Sequence, residues 1–303
     1  ASYNDIDSQP FEALNTAFIQ DGAFISAGDR IDLAQPVEIL MLTSGKESRF
    51  LQPRILIQAG ENTGLQVVEH QRSLGGADCF NNSVCEIYAA RHARVSHIRI
   101  QDEGPNAYHV STTRIRQEGD SDVSTFTATL GGRLIRNNLS FLPDGEHCTS
   151  HLNGVFVGTG DRHIDNHTFV DHAWPNCESN ELYKGILDDK STGVFNGKVF
   201  VRRDAQKTNA YQSNNSVVLS ESAKMFAKPE LEIYADDVKC SHGATTGQLD
   251  QEAMFYLRSR GINARDARTM MLNAFVGEAL ELITLSPVRE HVEALLEREL
   301  VKL

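Results

Sequence analysis

From residue 23 to about 247 the chain is a succession of short runs with β character, separated by Gly, Asn, Asp and Ser and with no helical period between them. The runs fall at 39–41, 54–58, 65–69, 83–89, 95–100, 108–115, 123–130, 155–157, 194–201, 216–219 and 231–234. Such a pattern excludes a doubly wound α/β sheet, which needs a helix between parallel strands, and leaves a sandwich, a barrel or a solenoid. Two similar phrases, Asn153-Gly154-Val155-Phe156-Val157 and Asn196-Gly197-Lys198-Val199-Phe200-Val201, lie 43 residues apart, which reads as two solenoid turns of about 22. Asn138 and the pair Asn214-Asn215 stand next to strands, where inward amides can stack between turns. The expected fold is mainly β, a right-handed parallel β-helix with irregular coils. A β-sandwich accounts for the strand count nearly as well.

Helical periods flank this body. Phe11, Leu14, Ala17 and Phe18 recur at helical spacing, so 1–21 is read as a short helical segment closed by Asp21-Gly22, with the β core over 22–247. The remainder, 248–303, reads as a helical subdomain. Its first helix carries Met254, Phe255 and Leu257 on one side and stops at Gly261. Asn263 caps the second, whose expected apolar face is Met270, Met271, Ala274, Phe275, Ala279, Leu282 and Ile283. The third opens with Ser286 as N-cap and Pro287 at the first helical position, and its stripe is Val288, Val292, Leu295 and Leu296.

Charge narrows the function. Among 303 residues, 41 are acidic and 29 basic, for a net charge of −12. A surface that acidic repels phosphate backbones and anionic lipid, so neither nucleic acid nor a membrane is an expected partner. No apolar run reaches the ~18 residues of a membrane span. Five scattered cysteines, an odd number without Cys-x-x-Cys, make a poor disulfide framework and point to the cytoplasm. Ala1-Ser2-Tyr3-Asn4-Asp5 has neither a basic nor an apolar leader region, and without an initiator Met it suggests a processed chain or a piece of a longer one.

The densest polar and soft-ligand stretch runs from Asp236 to Gly247, where the last expected strand gives way to helices. On an extended chain Cys240 and His242 face the same side about 7 Å apart, so thiolate and imidazole can converge on one soft metal. A buried thiol beside a hydrogen-bonded imidazole is the other reading, and two ligands do not complete a zinc or iron–sulfur site. His163, Asp165 and His167 share a strand face, followed by His172 and Cys177, and read as structural histidines between coils. Cys79 and Cys85 read as buried thiols about a turn, and Cys148 and His151 as structural. There is no phosphate-binding Gly-rich loop and no Gly-x-Ser-x-Gly elbow, so a self-contained catalytic centre is not expected.

The run Leu231-Glu-Ile-Tyr-Ala-Asp-Asp-Val-Lys-Cys-Ser-His-Gly-Ala-Thr-Thr-Gly-Gln-Leu249, then Phe255-Tyr-Leu-Arg-Ser-Arg-Gly-Ile262 and Ala267-Arg-Thr-Met-Met-Leu-Asn-Ala-Phe275, closely resembles the SufB/SufD family of iron–sulfur cluster assembly proteins. Asn180-Glu-Leu-Tyr-Lys-Gly185 and the segment 204–215 match it too. Cys240-Ser241-His242-Gly243 looks like the SufD branch, because the SufB branch typically has an acid directly after the corresponding His. The chain is shorter than a usual SufD and is expected to lack that branch's N-terminal helical region. The resemblance implies a β-helix followed by C-terminal helices, and a non-catalytic scaffold subunit that pairs with SufB and binds the ATPase SufC. A transient iron–sulfur cluster would form at the SufB–SufD interface, with His242 the better carried-over ligand and Cys240 the weaker. Phe255, Arg258, Arg260, Gly261 and Ile262 would present a surface to SufC, and the isolated chain is expected to pair with itself. A β-helix polysaccharide lyase or hydrolase is the alternative, and would place acids and bases along an exposed groove. A hexapeptide-repeat acyltransferase would need a strict six-residue period, which is not visible.

Overall fold

A computed structural model describes residues 9–45 and 47–303; the expected helical segment at 1–21 lies outside the described residues over 1–8. The chain winds into a parallel β-solenoid of about eight coils whose strands alternate between two sheets. The front sheet stacks β1 (Asp21–Ala27), β4 (Pro53–Ala59), β6 (Cys79–Ala89), β8 (Ala107–Glu118), β10 (Leu134–Asp144), β12 (His163–His172), β14 (Thr192–Val201) and β16 (Lys224–Ile233), with β3 (Arg49–Leu51) beside β6. The back sheet stacks β2 (Val37–Thr43), β5 (Gly64–Ser73), β7 (Arg94–Asp102), β9 (Asp122–Thr129), β11 (Thr149–Gly158), β13 (Glu178–Leu187), β15 (Asn209–Val218) and β17 (Lys239–Gly247).

The coils are longer than the spacing of similar phrases implies. Tyr108 pairs with Leu134, 26 residues on, Leu134 with His163 and His163 with Thr192, 29 each, and Thr192 with Lys224, 32. Asn153 and Asn196 therefore sit on opposite sheets, one and a half coils apart rather than two. The true repeat is a corner. Arg30, Asn62, His92, Asp120, His147, Asn176 and Lys207 all have φ between 54° and 60°, and from Asn62 onward each stands two residues before a back-sheet strand. The left-handed region costs a side-chain-bearing residue about 1–2 kcal/mol, so each corner is held by its neighbours. The Asn62 amide donates to the Arg91 carbonyl at 3.1 Å and the Asp120 amide to that of Glu146 at 2.8 Å.

From β5 to β15 both faces of the back sheet are covered, whereas Leu40 and Leu42 on β2 are exposed. One face lines the lumen. The other carries Val68, Ile98, Ile100, Phe126, Val155 and Ile186 against α3 (Ala264–Leu280) and α4 (Ser286–Leu300). From α3 the buried residues are Ala267, Leu272, Val276, Ala279 and Leu280, so the face differs from the expected one: Met270 and Ala274 point to solvent. On this helix Met270 and Ala274 stand on the outer side among Asp266, Asn273 and Glu278, so apolar residues occur on both sides and periodicity alone does not select the inner one. From α4, Val292, Leu295 and Leu296 are buried as expected, while the helix starts at Ser286 with Leu285 in the cap position. Each fully buried Leu, Ile or Val here contributes about 1.5–3 kcal/mol relative to exposure. Lys184 on β13 ties α3 down, donating to the Phe275 carbonyl at 2.7 Å and pairing with Glu278 at 2.6 Å.

The front sheet faces outward with ion pairs between coils, among them Arg54–Glu86, Arg136–Asp165 and Arg202–Asp171. Across this face lies α1 (Pro10–Phe18), attached by its polar side. Glu12 pairs with Arg114 at 2.7 Å and Asn15 donates to the Pro53 and Asn82 carbonyls, both at 2.9 Å. The expected apolar stripe is the outer one: Phe11 and Phe18 are exposed. The segment at 21–22 begins β1 rather than closing a turn.

Candidate functional site

Alternate residues of each strand enter the lumen, and the parallel register stacks them in columns. One column reads Val67, His97, Thr125, Leu152, Glu181, Gln212 and His242. All but the last are buried. His242 is exposed because β17 is the final strand of its sheet and, among the described residues, no further strand stacks on it. The stretch expected to lie between the last strand and the helices thus itself contains a strand, paired with β15 from Lys239–Asn209 to Gly247–Val217. Polar residues through 236–247 hid this, because an edge strand needs no apolar alternation.

Cys240 stands over Ala210 in the neighbouring column, half-buried against Val199, Val201 and Ala235. Burial raises its thiol above the ordinary range, and the Ala210 backbone opposes this weakly. Imidazole and thiol thus project on the lumen side of one uncapped edge. Beside them, β16 exposes Phe226, Ile233 and the adjoining Tyr234. An unpaired edge with apolar neighbours, an imidazole and a thiol is the kind of surface that folded chains cover by pairing. Nitrogen and sulfur donors suit an iron–sulfur species, and two leave coordination positions for donors from the opposite side.

The other histidines do not gather there. On β12, His163, Asp165 and His167 share the outer face, with His167 on Asp165 at 2.8 Å and Arg136 on the same carboxylate at 2.8 Å. His172 faces the lumen and meets Ser179 at 2.9 Å. Cys79 and Cys85 both lie within β6 and are buried in strand, not about a turn. Cys148 and Cys177 stack on successive coils, each within hydrogen-bonding reach of the Gly145 carbonyl, at 3.4 and 3.3 Å. His151 is half-buried on β11. Expected inward amides are present one residue off. Asn137 rather than Asn138 enters the lumen and donates to Asn166 at 3.1 Å, while Asn138 bonds the Ser111 carbonyl. Asn214 is inward and buried, and Asn215 is not.

The lumen holds a second group of potential ligands that the sequence did not reveal, because its members are spread over three strands. Glu69, Cys85 and His97 bring one ligand atom each within 4.8 Å of one another. Their chemistry is already complete. Glu69 accepts from Arg99 at 2.9 Å and Gln71 at 2.6 Å, and meets His97 at 3.1 Å. Burial alone would raise the Glu69 carboxyl, but Arg99 and His97 hold it well below the usual range. Burial raises the Cys85 thiol and lowers the His97 imidazole from their ordinary values. A metal would have to displace the Arg99 charge, so this group is a polar core.

Of the helical residues expected to meet a partner, Phe255, Arg258, Arg260 and Gly261 on and after α2 (Gln251–Ser259) are exposed and Ile262 is half-buried. Phe255, at 75% exposure, does not share a side with the half-buried Met254 and Leu257. Gly261 (φ 88°) and Ile262 close the helix by donating to the Arg258 and Leu257 carbonyls at 3.1 and 3.3 Å. The groove on the front sheet lined by Arg114, Arg116, Asp144, Asp171 and Arg202 has its acids engaged, Asp144 by Arg116 and Asp171 by Arg202. Among the described residues no helix is long and apolar enough to cross a membrane.

Comparison with known proteins agrees with the geometry. The family described as SUF system FeS cluster assembly, SufBD core domain, matches residues 41–275. An iron–sulfur cluster assembly SufBD family protein of Synechocystis is 36% identical over 93% of this chain and 64% of its own length. The iron–sulfur cluster assembly protein SufD of Escherichia coli is 33% identical over 95% of this chain and 69% of its own. A SufBD family protein of Mycobacterium tuberculosis is 30% identical over 97% of this chain and 74% of its own. The chain therefore spans about two thirds of the length of these relatives. With its parallel solenoid and C-terminal helices, it belongs to the SufBD family of SUF-system iron–sulfur cluster assembly proteins.

Proposed function

We propose that this chain is a non-catalytic scaffold subunit of the SufD type, which pairs through its open β16–β17 end with a SufB subunit. A nascent cluster forms between them, with His242 as a ligand and Cys240 beside it. The observation that carries this reading is the position of His242: lumen side, final strand, nothing stacked above. Phe255, Arg258, Arg260, Gly261 and Ile262 form the surface for the ATPase SufC, supported by the exposure of Phe255 and Tyr256 on a helix with no buried residue. Without SufB, the same edge pairs with a second copy of the chain, which takes an interface of order 1,000 Å² or more. Five free cysteines, four of them buried, suit a cytoplasmic location.

The test is co-expression with SufB and SufC, followed by anaerobic iron and sulfide analysis. His242→Ala should lose iron and sulfide while both partners still co-purify, since an exposed strand residue is replaced without loss of core. Cys240→Ser should lose less if the thiol only packs beside the site. Full iron and sulfide in the His242→Ala complex would remove the ligand assignment. Retention of SufC by a chain ending at 247 would remove the docking assignment.

A further inference from the structure

The row of side chains beneath the open edge has hydrogen-bonding atoms to spare. On β15 the inward residues Ala210, Gln212, Asn214 and Ser216 are all buried, and the register sets them under Cys240, His242, Ala244 and Thr246. Among the described residues, Gln212 Oε1, both amide atoms of Asn214 and Ser216 Oγ have no hydrogen-bond partner. Buried polar groups in folded chains are almost always satisfied, so a row left open on its upper side is the floor of something that completes it.

Gln212 lies directly under His242, and its amide nitrogen is committed downward. Nε2 donates to Glu181 Oε2 at 2.8 Å, one coil further in. The opposite wall leaves room for this arrangement at Gly197, where an added Cβ would fall 2.3 Å from Gln212 Nε2. With the nitrogen held by Glu181, the carbonyl oxygen is the atom left to serve the next coil, and the side chain there is an imidazole.

We propose that Gln212 is a positioning residue for His242. Its Oε1 accepts a hydrogen bond from one ring N–H, so the other ring nitrogen is unprotonated and faces out of the solenoid, and Glu181 fixes the Gln212 amide in the orientation this requires. Imidazoles that ligate metals are commonly oriented in this way, through an acceptor on the nitrogen that does not bind. The inference rests on the reading of His242 as a cluster ligand, but it makes a claim about the ring that can be tested without iron.

The experiment uses the chain labelled with ¹⁵N at histidine, with the His242 signals assigned by their loss in His242→Ala. One fixed tautomer is expected in the unsubstituted chain, and the averaged pattern of a solvent-exposed imidazole in Gln212→Leu. Glu181→Leu should release the ring as well, whereas Glu181→Gln, which still offers an acceptor to the Gln212 amide, should keep it fixed. Gly197→Ala gives a second route that removes no polar group: it crowds the amide and should also loosen the tautomer. An averaged pattern in the unsubstituted chain, or the same fixed tautomer in Gln212→Leu, overturns the proposal. In the co-expressed complex, Gln212→Leu should weaken iron retention by about 10–100-fold. If His242→Ala keeps its iron, the ligand reading falls, while the tautomer result still decides the role of Gln212.

Discussion

Glu181 offers a stability test with a definite sign. Its carboxyl is buried in the lumen with one oxygen on Gln212 and the other, Oε1, without a partner. Burial pushes it from 4.5 up to about 7, against smaller opposing contributions from the nearby Thr168 hydroxyl and the Gln212 amide. Between those two values the folded chain keeps a proton that the unfolded chain has released. The stability due to Glu181 is therefore full below about pH 4.5 and is lost as pH rises through 7. A gap of about 2.5 pH units, at about 1.4 kcal/mol per unit, amounts to about 3 kcal/mol by pH 8. Glu181→Gln keeps an acceptor for Gln212 and cannot ionise. Relative to its own baseline at pH 4.5, it should gain about 3 kcal/mol on the unsubstituted chain by pH 8. Urea unfolding followed by circular dichroism at several pH values reads the difference directly. Only the difference is diagnostic, because His70 and His97, both held low by burial, bend the curve the other way in both chains: their stability is lost as pH falls below 6.5. A difference that stays flat from pH 4.5 to 8 would mean that Glu181 is hydrated, and the argument from burial would fail.

Three other outcomes follow from the same core. Gly185→Ala places a Cβ 2.2 Å from the fully buried Phe156 ring and should cost about 1–3 kcal/mol in urea unfolding. An unchanged midpoint would show that the ring has room to move. Glu69→Gln leaves the buried Arg99 guanidinium without its counter-charge and should cost about 3–5 kcal/mol. A loss below about 1 kcal/mol would mean that water reaches Arg99. A thiol-exchange reagent should titrate Cys240 in the native chain, in a phase faster than that of the four buried thiols, and all five cysteines in denaturant. The fast phase should vanish in Cys240→Ser, and its persistence would place another thiol at the surface.

The β-helix and the C-terminal helices were legible because alternation and turn residues are local signals. The coil length was not, because its strongest marker is a backbone conformation shared by chemically unlike residues: Arg30, Asn62, His92, Asp120, His147, Asn176 and Lys207. The segment Asn180-Glu-Leu-Tyr-Lys-Gly185 could be recognised without its roles being apparent. In the fold Glu181 and Tyr183 enter the lumen, Leu182 and Lys184 hold the helices, and Gly185 makes room for Phe156. Facing in or out changes with every residue of a strand, so Asn138 was named where Asn137 is the inward amide. For α1 and α3 the pattern marked a helix but not its buried side. In α1 the attachment is polar, and in α3 the outer side mixes Met270 and Ala274 with Asp266, Asn273 and Glu278. His242 and Cys240 were found by motif, while Gln212 and Glu181 beneath them are adjacent only through stacking.

A solenoid behaves as a one-dimensional lattice in which each coil is stabilised by its two neighbours. The coil ending in β17 has a neighbour on one side only. Like the first coil at the other end, it is therefore expected to open more often than the interior coils that carry Glu69 and Arg99. Whatever stacks on that edge supplies the missing neighbour, and so raises the occupancy of the very geometry that presents His242. On the proposed reading, pairing at that edge and ordering of the strand that carries His242 are one cooperative step, and the affinity of the edge for what covers it includes the work of holding the last coil shut.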